Sequence, residues 1–193
     1  MCGRYVIRTS TPEIARLLGV ETLADNSPAR YNVAPTQSVP TARVGAQGSR
    51  EFARLRWGLV PFWSKDAKGG AFRMINARSE TIASKPAFRK PFKERRCLIA
   101  ADGYYEWCNV NGEKQGHYIF ATDHAMLMFA GVWDRWRGPA DEVVESCAIV
   151  TTEASVDVNQ IHDRMPVILD LDGGAAWLDS EAQPSYLGTL MTP

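Results

Sequence analysis

The sequence lacks the features that mark membrane, secreted and metal-binding proteins. It has no apolar run of about 18 residues that could span a bilayer, and its first residues lack the apolar segment of a signal peptide. Its four cysteines show no CxxC spacing and are not accompanied by paired histidines. We therefore expect a cytoplasmic protein without a metal, a cofactor or a membrane contact.

The chain also has no net charge, which excludes a histone-like polycation. The 22 basic and 22 acidic residues are nevertheless unevenly distributed. Residues 50–96 carry a net charge of +9, whereas residues 97–193 carry −11. Arginine outnumbers lysine by 16 to 6, which suits bidentate phosphate contacts. One face could therefore bind a polyanion, although charge alone fits an ordinary solvated surface equally well.

The apolar pattern predicts strands rather than helices over most of the chain. β-Branched and aromatic runs separated by turn residues occur at 52–57, 97–101, 117–122, 125–133 and 147–151. Asn111-Gly112 predicts a tight hairpin between 104–110 and 114–121. With 193 residues, we expect a single α+β, strand-rich domain over 1–193, with a curved antiparallel sheet approaching a barrel.

Helix signals are few and short. Thr11 is the predicted N-cap of a helix that Gly19 ends, and 79–92 predicts a helix interrupted by its prolines. A short helix around 175–178 and an extended tail close the chain, and we expect residues 170–193 to pack on the domain.

Cys2 is the most informative position. Initiator methionine is normally removed before a small residue, which would leave an α-amine and a thiol on Cys2. Such an aminothiol can attack an acyl centre, or it can condense with an aldehyde to a five-membered thiazolidine. The second reaction needs both groups, which explains cysteine here better than serine. The alternative is a buried, inert cysteine, and a retained Met1 would block the amine chemistry.

Three further positions carry groups suited to proton transfer or orientation. His162 stands beside an acid and an arginine, and histidine moves protons near neutral pH. Glu106 lies between large aromatic residues, where partial burial would make it a usable acid or base. Asn76 could orient a reactant, with Arg78 as an anion clamp. Each has a structural alternative: a locally satisfied histidine, an ion-paired edge glutamate, and a helix entry capped by Ser79.

Rigid loops with proline and tryptophan add a second signal. The segments 32–36 and 57–63 combine proline with aromatic residues near arginines, a pattern typical of single-strand binders. Trp57 suits a packed core position better than Trp63 does.

Taken in order, eight segments resemble the SOS-response-associated peptidase (SRAP) family of abasic-site-processing proteins. The segments are CGRY (2–5), NVAPT (32–36), WGLVP (57–61), NARSET (76–81), RCLI (96–99), DGYYEW (102–107), FAGVW (129–133) and IHDRMP (161–166). One position departs from the family pattern, since Ala100 stands where the family usually has proline.

The resemblance implies covalent capture of an abasic site in single-stranded DNA. It assigns the nucleophile to Cys2, an orienting amide to Asn76, a carboxylate that handles amine protons to Glu106, and sugar-ring opening to His162. A lyase side reaction through the imine intermediate is also implied.

The same resemblance implies a DNA interface around the reactive residues. The residues predicted to contact the strand are Arg4, Asn32, Pro35, Trp63, Arg73, Arg78 and Arg164. We expect a monomer that binds DNA containing an abasic site and associates with the nucleoid at damage. Two alternatives stay open: an N-terminal-cysteine peptidase or amidohydrolase that removes its own leader, and a non-covalent single-strand-binding module in which Cys2 is structural.

Overall fold

The computed structural model describes residues 2–21, 27–67 and 74–193, which form twelve strands and four short helices. The strands are β1 (Arg4–Ile7), β2 (Arg30–Val33), β3 (Ser38–Val44), β4 (Arg50–Trp57), β5 (Asn76–Arg78), β6 (Arg96–Ala101), β7 (Gly103–Val110), β8 (Glu113–Ile119), β9 (Leu127–Arg137), β10 (Val143–Glu153), β11 (Arg164–Pro166) and β12 (Ile168–Leu169). The helices are α1 (Thr11–Leu18), α2 (Pro86–Glu94), α3 (Leu171–Leu178) and α4 (Pro184–Thr189).

Five of these strands close a barrel. They follow the order β10-β4-β3-β6-β9, and β9 pairs back to β10. A separate antiparallel sheet has the order β2-β1-β7-β8. This arrangement confirms the predicted strand-rich α+β class in a single domain.

Two pairings add to the predicted antiparallel arrangement, because β10 runs parallel to β4 and to β5. Parallel neighbours need long connections, so they are far apart in sequence and leave no hairpin signal. The antiparallel hairpin at Asn111-Gly112 is confirmed, and both residues have the positive φ that a type I′ turn requires.

The core fills the barrel and the space under the second sheet. β6 is buried along its whole length, and Tyr5 of β1 lies edge-on against Trp57 of β4, with ring centroids 5.1 Å apart. Trp57 is fully buried, as its sequence context indicated, and Trp63 is 48% exposed. The inner sheet faces therefore carry the apolar residues of the core.

Three helix predictions need correction. The N-cap of α1 is Ser10 rather than Thr11, and Gly19 ends the helix in the left-handed conformation as predicted. Ser79 caps no helix, because its amide donates to Thr151 O across to β10 and α2 begins only at Pro86. The tail is helical rather than extended, since α4 buries Leu187. Within the described part of the chain, no helix is long and apolar enough to cross a membrane.

Arg96 joins α2 and α3 to the barrel. This residue of β6 is buried, and its guanidinium donates hydrogen bonds to the carbonyls of Phe92 and Lys93 at the end of α2. It also donates to the carbonyls of Trp177 and Asp179 at the end of α3, both at 2.6 Å. One planar cation thereby satisfies the carboxyl ends of two helices, which favour positive charge.

We expect Arg96→Lys to lower the free energy of unfolding by about 2 kcal/mol, because an ammonium group cannot reproduce the planar fork of donors. Urea denaturation followed by circular dichroism measures the loss. Arg89→Lys, an exposed change on α2, is the matched control and should lie close to wild type. Equal stability of the two variants would contradict the role given to Arg96.

Candidate active site around Cys2

The pairing of β1 with β7 brings the amino terminus into the centre of the molecule. Arg4 lies opposite Tyr105, and Tyr5 lies opposite Tyr104. Because the strands are antiparallel, the residues that precede Arg4 lie beside the residues that follow Tyr105. The carboxylate of Asp102 fixes the other end of β1. It accepts hydrogen bonds from the amides of Arg8 and Thr9, at 2.6 and 3.0 Å.

The Thr9 hydroxyl donates a further hydrogen bond to Asp102 at 2.7 Å. Burial alone would raise the pKa of Asp102, but the hydrogen bonds from Thr9 and Arg8 outweigh it and lower the pKa. The residue therefore holds β1 in register against β7 while it is ionised.

Cys2 lies two residues before β1 and is fully buried. The side-chain amide of Asn76 donates a hydrogen bond from Nδ2 to the Cys2 carbonyl oxygen at 3.0 Å. Burial raises the pKa of the Cys2 thiol well above its usual value, and the negative charge of Glu106 raises it further. The thiol is consequently neutral at physiological pH.

Glu106 supplies a carboxylate to the same site. It lies on β7, is only 2% exposed, and follows the last β7 residue that is paired with β1. Burial raises the pKa of the neighbouring Tyr104, and the charges of Cys2 and Glu106 raise it further. Cys2, Tyr104 and Glu106 thus share one poorly solvated environment.

Asn76 is held by the strands around it. It begins β5, pairs with Ile149 of β10, and follows Ile75, whose carbonyl accepts a hydrogen bond from Trp57 Nε1 at 2.9 Å. Its Oδ1 atom is buried and accepts no hydrogen bond from any described residue. The side-chain amide therefore presents its donor to Cys2 and keeps its acceptor available.

His162 lies in the segment before β11, with 27% of its side chain exposed. Its Nδ1 atom is 2.9 Å from the donating amide of Arg164 and 2.8 Å from an Asp163 carboxylate oxygen. One nitrogen cannot accept from the amide and donate to the carboxylate at once. The neutral ring therefore bonds the Arg164 amide and carries its proton on Nε2, whereas the protonated ring can pair with Asp163.

Arg78 and Arg164 flank the end of β10. β5 pairs with one side of β10 and places Arg78 opposite Thr151. β11 pairs with the other side of β10 and places Arg164 opposite Glu153. An open, polar pocket of about 650 Å³ lies here. It is lined by Arg78, Glu153, Ala154, Asn159, Asp163 and Arg164.

The two arginines differ in what they already bind. Arg78 is exposed. Arg164 is 9% exposed, pairs through both terminal nitrogens with the Glu80 carboxylate, and donates to Thr151 O at 2.8 Å. The hydrogen bond from Arg164 lowers the pKa of Glu80. The contact between Arg164 and a DNA phosphate stays a prediction. It requires Arg164 to exchange the Glu80 carboxylate for the phosphate.

The other residues predicted to contact DNA occupy varied positions. Arg4 is half-buried and donates to Gly3 O at 2.8 Å, Asn32 is exposed on β2, and Pro35 is half-buried in the following loop. Trp63 lies edge-on to the exposed Phe62, with ring centroids 5.0 Å apart. Arg73 lies outside the described residues.

The structure thus brings Cys2, Asn76 and Glu106 together. His162 lies in the segment that leads into β11, and β11 pairs with β10, the strand that also pairs with β5. Sequence reasoning missed Asp102 and Tyr104. The signal was available in DGYYEW, because strand alternation places positions 104 and 106 on one face. Among the described residues, no cluster of three or more His, Cys, Asp or Glu could hold a metal ion.

The fold and the site define a mixed β-barrel protein with an amino-terminal cysteine beside a buried carboxylate. The model of the SOS response associated peptidase (SRAP) family matches residues 1–193. The chain belongs to this family, which confirms the resemblance seen in the sequence.

Known proteins similar to this chain include bacterial and vertebrate members. The abasic site processing protein YoaM of Bacillus subtilis is 38% identical over 198 residues, covering 100% of this chain and 86% of YoaM. The abasic site processing protein HMCES of Xenopus tropicalis is 33% identical over 184 residues, covering 80% of this chain and 55% of HMCES.

Solved structures share the fold. A crystal structure of a Bacteroides thetaiotaomicron protein is 26% identical and superposes with a TM-score of 0.91, covering 100% of this chain and 87% of that one. A phage-related protein from Bordetella bronchiseptica is 30% identical and superposes with a TM-score of 0.76, covering 98% of this chain and 87% of that one.

We expect Cys2 to alkylate slowly in molecules that retain Met1. Cys2, Cys97 and Cys147 are fully buried, and burial raises the pKa of each thiol, whereas Cys108 is half-exposed. Iodoacetamide should therefore modify Cys108 at least about tenfold faster than Cys2. Peptide mass mapping measures both rates in one sample, with Cys108 as the internal control. Equal rates would contradict the burial of Cys2.

Stability should depend on the ionisation of Asp102. The pKa of Asp102 is lowered on folding, so its contribution is present above the unfolded pKa and is lost as pH falls through the folded one. We expect Asp102→Asn to cost about 2 kcal/mol at neutral pH, and the difference from wild type to shrink below about pH 4.

Urea denaturation at several pH values measures this difference. Asp141→Asn is the control, because the Asp141 side chain is 85% exposed. A gap between Asp102→Asn and wild type that stays constant down to acid pH would show that the charge of Asp102 does not matter.

Proposed function

We propose that the protein processes abasic sites in single-stranded DNA by bonding covalently to them through Cys2. The observation that carries this proposal is the buried carboxylate of Glu106 beside the amino-terminal cysteine that Asn76 holds in place. The relatives named abasic site processing proteins support the same substrate.

The proposal requires removal of Met1, which gives Cys2 a free α-amine next to its thiol. An abasic sugar in its open form carries an aldehyde at C1′. An amine and a thiol on neighbouring carbons convert an aldehyde into a thiazolidine with loss of one water. The thiazolidine ring forms only when both the C–N and the C–S bond to C1′ are made. The reaction therefore needs a residue with an amine and a thiol on neighbouring carbons, which is cysteine.

The proton transfers can be assigned to the groups of the site. The Glu106 carboxylate takes a proton from the Cys2 ammonium, and the amine adds to C1′. One amine proton moves to the carbonyl oxygen, and Glu106 returns its proton to the resulting hydroxyl group, which leaves as water and gives the protonated imine. The thiol sulfur then adds to the imine carbon, the C=N electron pair moves to nitrogen, and the thiol proton leaves to solvent. Sulfur and nitrogen both end bonded to C1′, and Glu106 is regenerated as a carboxylate.

Asn76 and His162 have supporting roles in this scheme. Asn76 binds the Cys2 carbonyl through Nδ2, and its Oδ1 can accept a hydrogen bond from the new amine, which orients the nucleophile. His162 transfers a proton during opening of the sugar ring. Its Nδ1 has two partners, Asp163 and the Arg164 amide, that suit its charged and neutral states.

The DNA strand would follow the exposed cations and rings around the site. Arg78 and the polar pocket at the end of β10 suit a phosphate, and the exposed Trp63 suits base stacking. Arg4, Asn32, Pro35, Arg73 and Arg164 complete the proposed interface. All four chemical groups come from one chain, so we propose that a monomer, associated with the nucleoid at damage, serves one lesion.

Cys2→Ser tests the covalent step. Wild-type protein incubated with an oligonucleotide containing one abasic site should give a heat-stable band on a denaturing gel, and Cys2→Ser should give none, because serine cannot close the thiazolidine. Cys108→Ser is the matched control and should react like wild type.

Each other outcome has a defined meaning. Binding to the oligonucleotide without any denaturant-resistant band would favour the non-covalent module. Full adduct formation by Cys2→Ser would remove the mechanism, and peptide cleavage without a DNA adduct would favour the peptidase. Glu106→Gln and His162→Ala should fold normally and form the adduct more slowly, by about 100-fold or more for Glu106→Gln.

A further inference from the structure

The hydroxyl of Tyr104 is a buried polar group that the fold does not use. Tyr104 is fully buried on β7, and its hydroxyl makes no hydrogen bond with any described residue. The ring is fixed edge-on against Phe129, with centroids 5.9 Å apart. Burying an unpaired hydroxyl destabilises a protein, so phenylalanine would serve the packing better.

The position of Tyr104 relates it to Glu106. The two residues are separated by one position on β7, so their side chains lie on the same face of the sheet, with Cα atoms about 7 Å apart. Because burial and the charges of Cys2 and Glu106 raise the pKa of Tyr104, its hydroxyl keeps its proton at neutral pH. It is therefore a protonated hydrogen-bond donor that shares its buried surroundings with Cys2 and Glu106.

Two other titratable groups lie close to Glu106. Cys2 faces it from the amino-terminal segment, and His117 lies opposite it on β8. The Nε2 atom of His117 is 3.2 Å from Cys108 Sγ, so this ring is engaged with the surface thiol. Tyr104 is consequently the buried hydroxyl donor nearest along the strand to the carboxylate.

We propose that Tyr104 is a positioning residue for Glu106 in the crosslinking reaction. In the free protein this hydroxyl bonds no described residue, but once the abasic site is bound it donates a hydrogen bond to the charged carboxylate, and that bond weakens when the carboxylate takes the amine proton. This inference rests on the proposed function of Cys2. It explains why the strand keeps a tyrosine whose hydroxyl contributes nothing to packing.

Tyr5 provides a control within the same sheet. It lies directly opposite Tyr104, is also fully buried with an unpaired hydroxyl among the described residues, and packs edge-on against Phe129 at 6.1 Å. The groups whose ionisation would act on Tyr5 are the thiols of Cys147, Cys2 and Cys97 and the guanidinium of Arg30, and Glu106 is not among them. Tyr5→Phe therefore removes the same atom without touching the carboxylate.

The test compares Tyr104→Phe with Tyr5→Phe in single-turnover adduct formation across a range of pH. We expect Tyr104→Phe to react about tenfold more slowly at neutral pH, and the acid limb of its pH–rate profile to move up by about one unit, because the charged carboxylate loses a donor that stabilises it. Tyr5→Phe should keep the wild-type profile. Thermal unfolding of both variants should occur at or above the wild-type temperature.

The outcomes separate this inference from the proposed function. A wild-type rate and profile for Tyr104→Phe would overturn the role of Tyr104 while adduct formation by wild type still supports the function. Equal slowing of both variants, or a loss of thermal stability in Tyr104→Phe, would show that its hydroxyl acts in the structure instead. A wild-type protein that forms no adduct would overturn the proposed function and this inference with it.

Discussion

The antiparallel pairing of β1 with β7 is the constraint on which the site depends. It buries the segment that begins at Cys2 and leaves Cys2 close to a carboxylate that has almost no access to water. Asp102 secures that pairing at its far end through the backbone of Arg8 and Thr9. Without it, Cys2 and Glu106 would belong to separate, solvated segments and would lose their electrostatic coupling.

Burial makes this small site chemically unusual. A neutral thiol, a carboxylate and an amide share a space in which charges are weakly screened, so proton transfers between neighbours are favoured over exchange with solvent. The Asn76 Oδ1 atom and the Tyr104 hydroxyl have no hydrogen-bond partner among the residues that the structure describes, and leaving them unpaired costs folding stability. Buried polar atoms without a hydrogen-bond partner are expected where function rather than packing selects the residue.

The sequence contained the local features but not the long-range ones. The Asn111-Gly112 hairpin and the Gly19 helix end were predictable, because a few adjacent residues determine each of them. The parallel neighbours of β10 were not, since residues 76–78 and 147–151 meet only through the closed barrel.

The site shows the same division. Cys2, Asn76 and Glu106 could be proposed from residue type and resemblance, but their proximity depends on strands far apart in the chain. The ion pair that engages Arg164 with Glu80 has no sequence signal, because residues 80 and 164 are brought together by β10 and β11.

The most direct test of the central claim is the intact mass of the protein after incubation with an oligonucleotide containing one abasic site. We expect a species that has lost Met1 and gained the mass of one oligonucleotide less one water. An unchanged mass under conditions where Met1 has been removed, or an adduct on molecules that retain Met1, would contradict it.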